Sequence, residues 1–166
     1  MIPFSGTEEK IGVEGKPIRE LDAPTAKVTK ALHELWLLKK GGRDMPARRD
    51  LSPAEMKSLL PHIYMIDVLG GGADYQMRLF GTALVDMIGG DFTGARLSEQ
   101  DADKGWRGKI YKQAYWRARP VFYQFDLGDM GKPHIHTENV LLPLKDNNNN
   151  FTILLCASQV IGREKL

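Results

Sequence analysis

The last third of the sequence constrains the fold most strongly. Three β-rich runs follow one another there: Val121 to Leu127, Ile135 to Leu144 and Phe151 to Ile161. Only Gly128 to Pro133 and Asp146 to Asn150 separate them. Connections this short join antiparallel neighbours, because a parallel pair needs a crossover of a dozen or more residues. The second connection holds four consecutive asparagines, Asn147 to Asn150, a residue that tolerates positive φ and suits a hairpin tip. These runs predict a three-stranded meander, which needs further strands or helices to bury its apolar face.

Upstream segments supply that cover. His62 to Leu69 and Tyr75 to Phe80 are β-rich and flank Gly70-Gly71-Gly72, the pattern of a hairpin. Tyr75, Met77 and Leu79 alternate with Gln76 and Arg78, as a half-buried strand requires. Ser52, Pro53 and Glu55 match an N-cap, a first-turn proline and a capping-box acid, predicting a short helix that ends at Pro61. Gly81 to Ile88 predicts a second short helix, and Asp103 to Arg119 a longer one stopped by Pro120. Farther upstream, Val28, Leu32, Leu35 and Trp36 recur at helical spacing before Gly41-Gly42, which predicts an amphipathic helix of about four turns.

The expected organisation is therefore a flexible arm over residues 1–24, an N-terminal amphipathic helix and linker over 25–42, and one α+β domain over 43–166. Two strands, helices and a three-stranded meander give a five-stranded antiparallel sheet with helices on one face. At 18.6 kDa, with 42% hydrophobic residues, one core is expected. The 23 basic and 21 acidic residues nearly cancel, so charge argues for neither a nucleic-acid nor a membrane partner. The single cysteine, Cys156, excludes an internal disulfide framework and suits a reducing compartment, so the expected location is the cytoplasm. The N-terminus lacks the pattern of a signal peptide, and no apolar run reaches the roughly 20 residues of a membrane span.

Several short motifs recur in a particular order. Leu35-Trp36 is followed by Gly42 to Arg48 (GRDMPAR), Asp50 to Pro53 (DLSP), Leu59 to Ile63 (LLPHI) and Asp67-Val68. Then come Tyr75, Arg78 to Thr82 (RLFGT), Gly89, Asp91 to Gly94 (DFTG), Pro120-Val121 and Leu142 to Leu144 (LPL). In this order and spacing, over roughly residues 35–161, the chain resembles the PAS-like domain family common in alphaproteobacteria. The resemblance implies a non-catalytic sensory or signalling module that binds a small ligand, a protein partner or both. It leaves the cofactor unknown, since PAS-like domains hold haem, flavin, small metabolites or nothing, and fold alone does not choose. Cys156 lies in the last apolar strand, outside the helical motif of photoactive flavin-binding PAS domains, and is expected to be a buried small hydrophobe.

Candidate sites follow from residue types. Tyr75, Met77, Trp106, Ile110, Tyr123 and Phe125 are the candidates to line a cavity between sheet and helices; the same residue types also fill solid cores. His134, His136 and Glu138 alternate along one strand and could converge on a metal, which would make the chain a small metal-dependent enzyme. A strand whose polar end emerges from the sheet gives the same pattern. Arg43, Arg48 and Arg49 could capture an anion, or pair with Asp44, Asp50 and helix carbonyls. Val28, Leu32, Leu35 and Trp36 form an apolar stripe that needs a covering surface, which is expected to be a second copy in a homodimer. A ligand-free adaptor that binds a signalling protein is the remaining alternative. No nucleotide-binding, metalloprotease or nucleophile-elbow motif is present in the sequence.

Overall fold

The computed structural model describes residues 18–100 and 105–163. Its elements in chain order are β1 (Arg19–Leu21), α1 (Lys27–Lys40), β2 (Ile63–Leu69), β3 (Asp74–Phe80), α2 (Thr82–Ile88), α3 (Leu97–Gln100), α4 (Gly105–Arg117), β4 (Val121–Leu127), β5 (Lys132–Lys145) and β6 (Phe151–Arg163). The strands form one antiparallel sheet in the order β1-β4-β5-β6-β2-β3. The α+β class and the antiparallel meander match the sequence expectation.

Two features differ. The sheet has six strands, because Arg19–Leu21 pairs with Phe122 to Gln124 at the β4 edge. Residues 18–21 therefore do not belong to a flexible arm; Ile18 is fully buried and Leu21 nearly so. Residues 1–17 of that arm lie outside the described residues. Polar neighbours hide the strand in sequence, since only Ile18 and Leu21 point inward.

Helices also cover both faces rather than one. Along β2, Tyr64, Ile66 and Val68 join a core beneath α2 and α4, while Ile63 and Met65 join a second core beneath α1. The same alternation sends Leu154 and Cys156 of β6 to the first core and Ile153, Leu155 and Ala157 to the second. Near-continuous apolar runs result from burying both faces of a strand, whatever its direction.

The N-terminal helix is thus part of the domain. Val28, Leu32 and Trp36 are buried against the chain's own sheet, and Leu35 packs partly against the same cluster. The stripe expected to bind a second copy is covered intramolecularly. Trp36 Nε1 also donates to the Pro143 carbonyl of β5 at 2.8 Å.

The Ser52–Leu60 segment forms no α-helix. Ser52 and Glu55 do exchange capping bonds, Ser52 N to Glu55 Oε1 at 3.2 Å and Glu55 N to Ser52 Oγ at 3.3 Å. However, the backbone closes mainly i to i−3 turns, such as Met56 N to Pro53 O, before the 3₁₀ turn Leu60–His62. Pro61 has no N–H to give to an i to i−4 bond and disfavours the α conformation at Leu60, so the segment ends in tighter turns.

Turn chemistry sets the hairpins. Gly70, Gly71 and Gly72 all have positive φ between β2 and β3. Asp146 Oδ1 accepts from Asn148 N and Asn150 N, and Asn149 takes φ 65°. At Gly81 the constraint is space, since a Cβ there would lie 2.3 Å from the Pro61 carbonyl oxygen.

Candidate functional site

A cavity opens between the sheet and the helices α2 to α4, offering about 60 Å³ to the centres of water molecules. Its apolar wall comes from Phe80, Leu84, Met87, Ile88, Phe92 and Met130. Its polar part comes from Tyr64, Arg107, Tyr111, Asn139 and Ser158, with Gln76 and Gln100 at β3 and α3. Strands β2, β5 and β6 place Tyr64, Asn139 and Ser158 on the cavity face by their twofold period. Helix α4 places Arg107 and Tyr111 together at i and i+4.

The sheet-side polar groups form a chain. Tyr64 OH donates to Asn139 Oδ1 at 3.4 Å, Asn139 Nδ2 to Thr137 Oγ1 at 2.8 Å, and Thr137 Oγ1 to the Phe125 carbonyl at 3.1 Å. Burial pushes the Tyr64 phenol well above its ordinary pKa, and the neighbouring Cys156 adds to this. Cys156 is itself fully buried on β6, and burial raises its thiol pKa strongly.

Arg107 is held on three sides. Its Nε and Nη2 donate to Asp129 at 2.8 and 3.3 Å. Its Cζ lies 4.5 Å from the Trp106 ring centroid and 5.4 Å from that of Phe125. Burial opposes its charge, but Tyr111 and Asp129 outweigh that effect and raise its pKa. Burial likewise raises the Tyr111 phenol, so that side chain stays protonated.

Of the residues expected to line a cavity, Tyr75, Met77 and Phe125 do so. Trp106 instead stacks edge-on against Phe125, with centroids 4.7 Å apart. Ile110 is buried in the core that the sheet shares with α4. Tyr123 is fully buried toward β1, beside Glu20 and Arg117, and its hydroxyl has no hydrogen-bond partner among the described residues. Tyr75 also buries a hydroxyl with no partner among the described residues, and burial pushes its pKa up to about 12.

The metal expectation is corrected by Glu138. Its carboxylate accepts from Thr25 N, Thr25 Oγ1, Ala26 N, Thr29 Oγ1 and Gln124 Nε2, at 2.5 to 3.0 Å. These donors consume the oxygens that a cation would need. Among the described residues, no group of three or more His, Cys, Asp or Glu side chains, including His134, His136 and Glu138, could hold a metal ion. Glu138 caps α1, whose own N-cap is Ala26 with no side-chain cap and whose first turn has no acid. Gln159 Oε1 of β6 accepts from Val28 N at 2.6 Å and completes this cap supplied by the sheet. Burial acts to raise the Glu138 pKa, but the bonds from Thr25, Thr29, Ala26 and Gln124 prevail and hold it below the ordinary carboxylate value.

The arginine cluster is engaged in the chain itself. Arg43 donates to the Lys39 and Lys40 carbonyls at the end of α1 and pairs with Asp50 at 3.0 Å. Arg48 donates to the Leu51 carbonyl at 2.7 Å. Arg49 is exposed and contributes to the field that lowers the Asp50 pKa, after the Ala47 backbone bond and Arg43. Arg43 and Arg48 thus close a helix end and a loop, and Arg49 stays on the surface.

A family model described as the PAS domain matches residues 25–157. The chain belongs to the PAS domain family. PAS domains are sensory and signalling modules, and the match includes α1 as well as the meander. A search of the curated proteins returns no match. Among solved structures, the chain is similar to "Structure of an RNA-binding Light-Oxygen-Voltage Receptor", with a TM-score of 0.52 and 13% identity. That alignment covers 89% of this chain and 39% of the other, so the PAS fold described here spans about two fifths of that receptor. At this identity the likeness is one of fold. Among the described residues, no helix is long and apolar enough to cross a membrane.

Arg107, Tyr64, Tyr111, Asn139 and Ser158 are the site residues that sequence reasoning missed. A signal for some of them was present. Arg107 interrupts the apolar face of α4 one turn before Tyr111, and Thr137 and Asn139 interrupt the Ile135–Leu141 parity of β5. A polar residue at an intended core position marks a site as readily as an aromatic does.

Proposed function

We propose that this PAS domain is a cytoplasmic receiver whose cavity holds a small ligand and whose sheet reports occupancy to α1. One observation carries the reading: adjacent residues of β5 serve the two faces. Asn139 lines the cavity, while Glu138 caps α1 through the opposite face. A shift of β5 that accommodates a ligand therefore changes the geometry of the cap, and release or tightening of α1 is the output. An uncapped α1 would exchange the amide protons at its N-terminal end faster, since Glu138 holds the Thr25 and Ala26 N–H groups that lead into its first turn.

A non-catalytic role is supported by the cavity's lining, which holds no Asp, Glu, His, Lys or Cys among the described residues. General acid–base catalysis, and the activation of a hydroxyl such as that of Ser158 by an adjacent base, draw mainly on those groups. A protein partner fits the exposed side of α1, where Leu38 is 73% exposed beside the half-exposed Leu37. A homodimer built through α1 would have to use that outer side, because the inner stripe is buried. Near-balanced charge supports no nucleic-acid partner.

Native mass spectrometry with an absorption spectrum of the freshly purified full chain tests the reading. The expected result is a bound small molecule whose removal alters hydrogen exchange in residues 25–40. A ligand-free protein that no small molecule stabilises, but that captures a protein partner through α1, would replace the receiver with an adaptor.

A further inference from the structure

The cavity is unbalanced in charge. Among the described residues, Arg107 is the one charged side chain in the lining and no acidic side chain is; its partner Asp129 is not in the lining. The other polar groups nearby, Tyr64, Tyr111, Asn139 and Ser158, are neutral and include three hydroxyls. An ammonium ligand would find no anion among the described lining residues to offset its desolvation, and Asp129 is already engaged by Arg107. A phosphate dianion would meet a single guanidinium already shared with Asp129. A monocarboxylate needs one guanidinium edge and neutral donors, and this set offers both.

The guanidinium geometry suits such a guest. Asp129 takes the Nε–Nη2 edge and Tyr111 also hydrogen-bonds the guanidinium, so a carboxylate would approach the Nη1–Nη2 end in competition with a neutral hydroxyl. Stacking over Trp106 and Phe125 fixes the plane, so little side-chain freedom is lost when a second acceptor arrives. The lining also holds Met77, Met87 and Met130, which adapt to shape, and Phe80 and Phe92, whose rings meet edge-on at 5.6 Å. We propose that the cavity takes a compact monocarboxylate, its acid group on Arg107 and an aryl or short acyl body among the methionines and phenylalanines. This rests on the reading that the cavity is the ligand site.

Three probes of one shape separate the possibilities: phenylacetate, phenylacetamide and phenethylamine, titrated calorimetrically into the full chain at pH 7. Phenylacetate is expected to bind roughly 10- to 100-fold more tightly than the amide, the span of a charge-assisted hydrogen bond, and the amine not at all. Asp129→Asn removes the competing carboxylate and is expected to tighten phenylacetate severalfold. Arg107→Gln is expected to abolish the preference for acid over amide. Leu84→Trp fills the apolar end and blocks every probe while leaving Arg107 in place, so a poorly folding Arg107 variant does not protect the proposal. Equal or tighter binding of the amide or amine, itself blocked by Leu84→Trp, overturns the carboxylate and keeps the cavity as the ligand site. Phenylacetate binding unchanged in Leu84→Trp overturns both, whereas failure of all three probes to bind overturns the carboxylate alone and leaves the ligand-site reading to the native mass spectrum.

Discussion

Under α1, the sheet is filled by Val28, Leu32, Trp36, Leu142 and Leu155, and the buried Glu138 carboxylate accepts from Thr25, Ala26, Thr29 and Gln124. Under α4, the same strands leave room: Tyr64, Asn139 and Ser158 meet Arg107 and Tyr111 around a cavity. Both faces bury polar groups, but one uses them to close a helix end and the other presents them to a space. Closed polar networks stabilise, whereas groups around a cavity are available to a guest. The difference separates the face that holds the domain together from the face that can respond.

The sharpest way to break this contrast is to empty the α1 face. Trp36→Ala is expected to cost about 3–5 kcal/mol, from lost burial and the cavity left behind, read as a fall in the urea midpoint. Leu32→Asp should unfold the chain without separating subunits. A folded Leu32→Asp protein of normal stability would mean that α1 does not pack as described. Next comes the cap: Glu138→Ala leaves the α1 donors unpaired and is expected to cost about 2–3 kcal/mol, with faster exchange at residues 25–29.

The cap also carries a pH signature. Because the folded Glu138 pKa is depressed, its stabilisation is fully present above the unfolded carboxylate value of about 4.5 and is lost as pH falls through the lower folded pKa. Glu138→Gln should therefore flatten the acid limb of the stability profile below that value. An unchanged limb would place the titrating group elsewhere.

On the other face, Leu84→Trp should stay within about 1 kcal/mol of the parent, because the added ring enters open space rather than a filled core. A loss above about 2 kcal/mol would show that the space is too small to admit a guest. The smallest effect is expected at the surface. Arg78 pairs with Asp67 across β2 and β3 at 2.7 Å, and Arg78→Ala should change stability by less than about 1 kcal/mol in thermal melts at 0.15 M salt.

Much of the fold was legible along the chain. The β4–β6 meander, the β2–β3 hairpin and α1 followed from period, turn residues and glycine stops, which are local signals. Residue type brought Tyr75, Met77 and Phe125 to the cavity but equally suggested Tyr123, Trp106 and Ile110, which fill the core, because the same side chains suit both places. The burial of both sheet faces was also encoded, in the unbroken apolar runs Val140 to Leu142 and Ile153 to Ala157. Period 2 alone, however, does not say that a second layer exists.

Sequence by itself determined the element types, the antiparallel meander and the PAS family pattern, because these depend on neighbours a few residues apart. Only tertiary structure decided what covers the α1 stripe, that Arg19–Leu21 is a strand, and that Glu138 caps a helix more than 100 residues earlier. The same holds for Arg107, which meets Asn139 and Ser158 only when α4 lies across β5 and β6. Partners so distant in the chain leave no periodic trace. A polar side chain looks the same in sequence whether it meets a metal, a helix end or a cavity, and the sheet register selects among them.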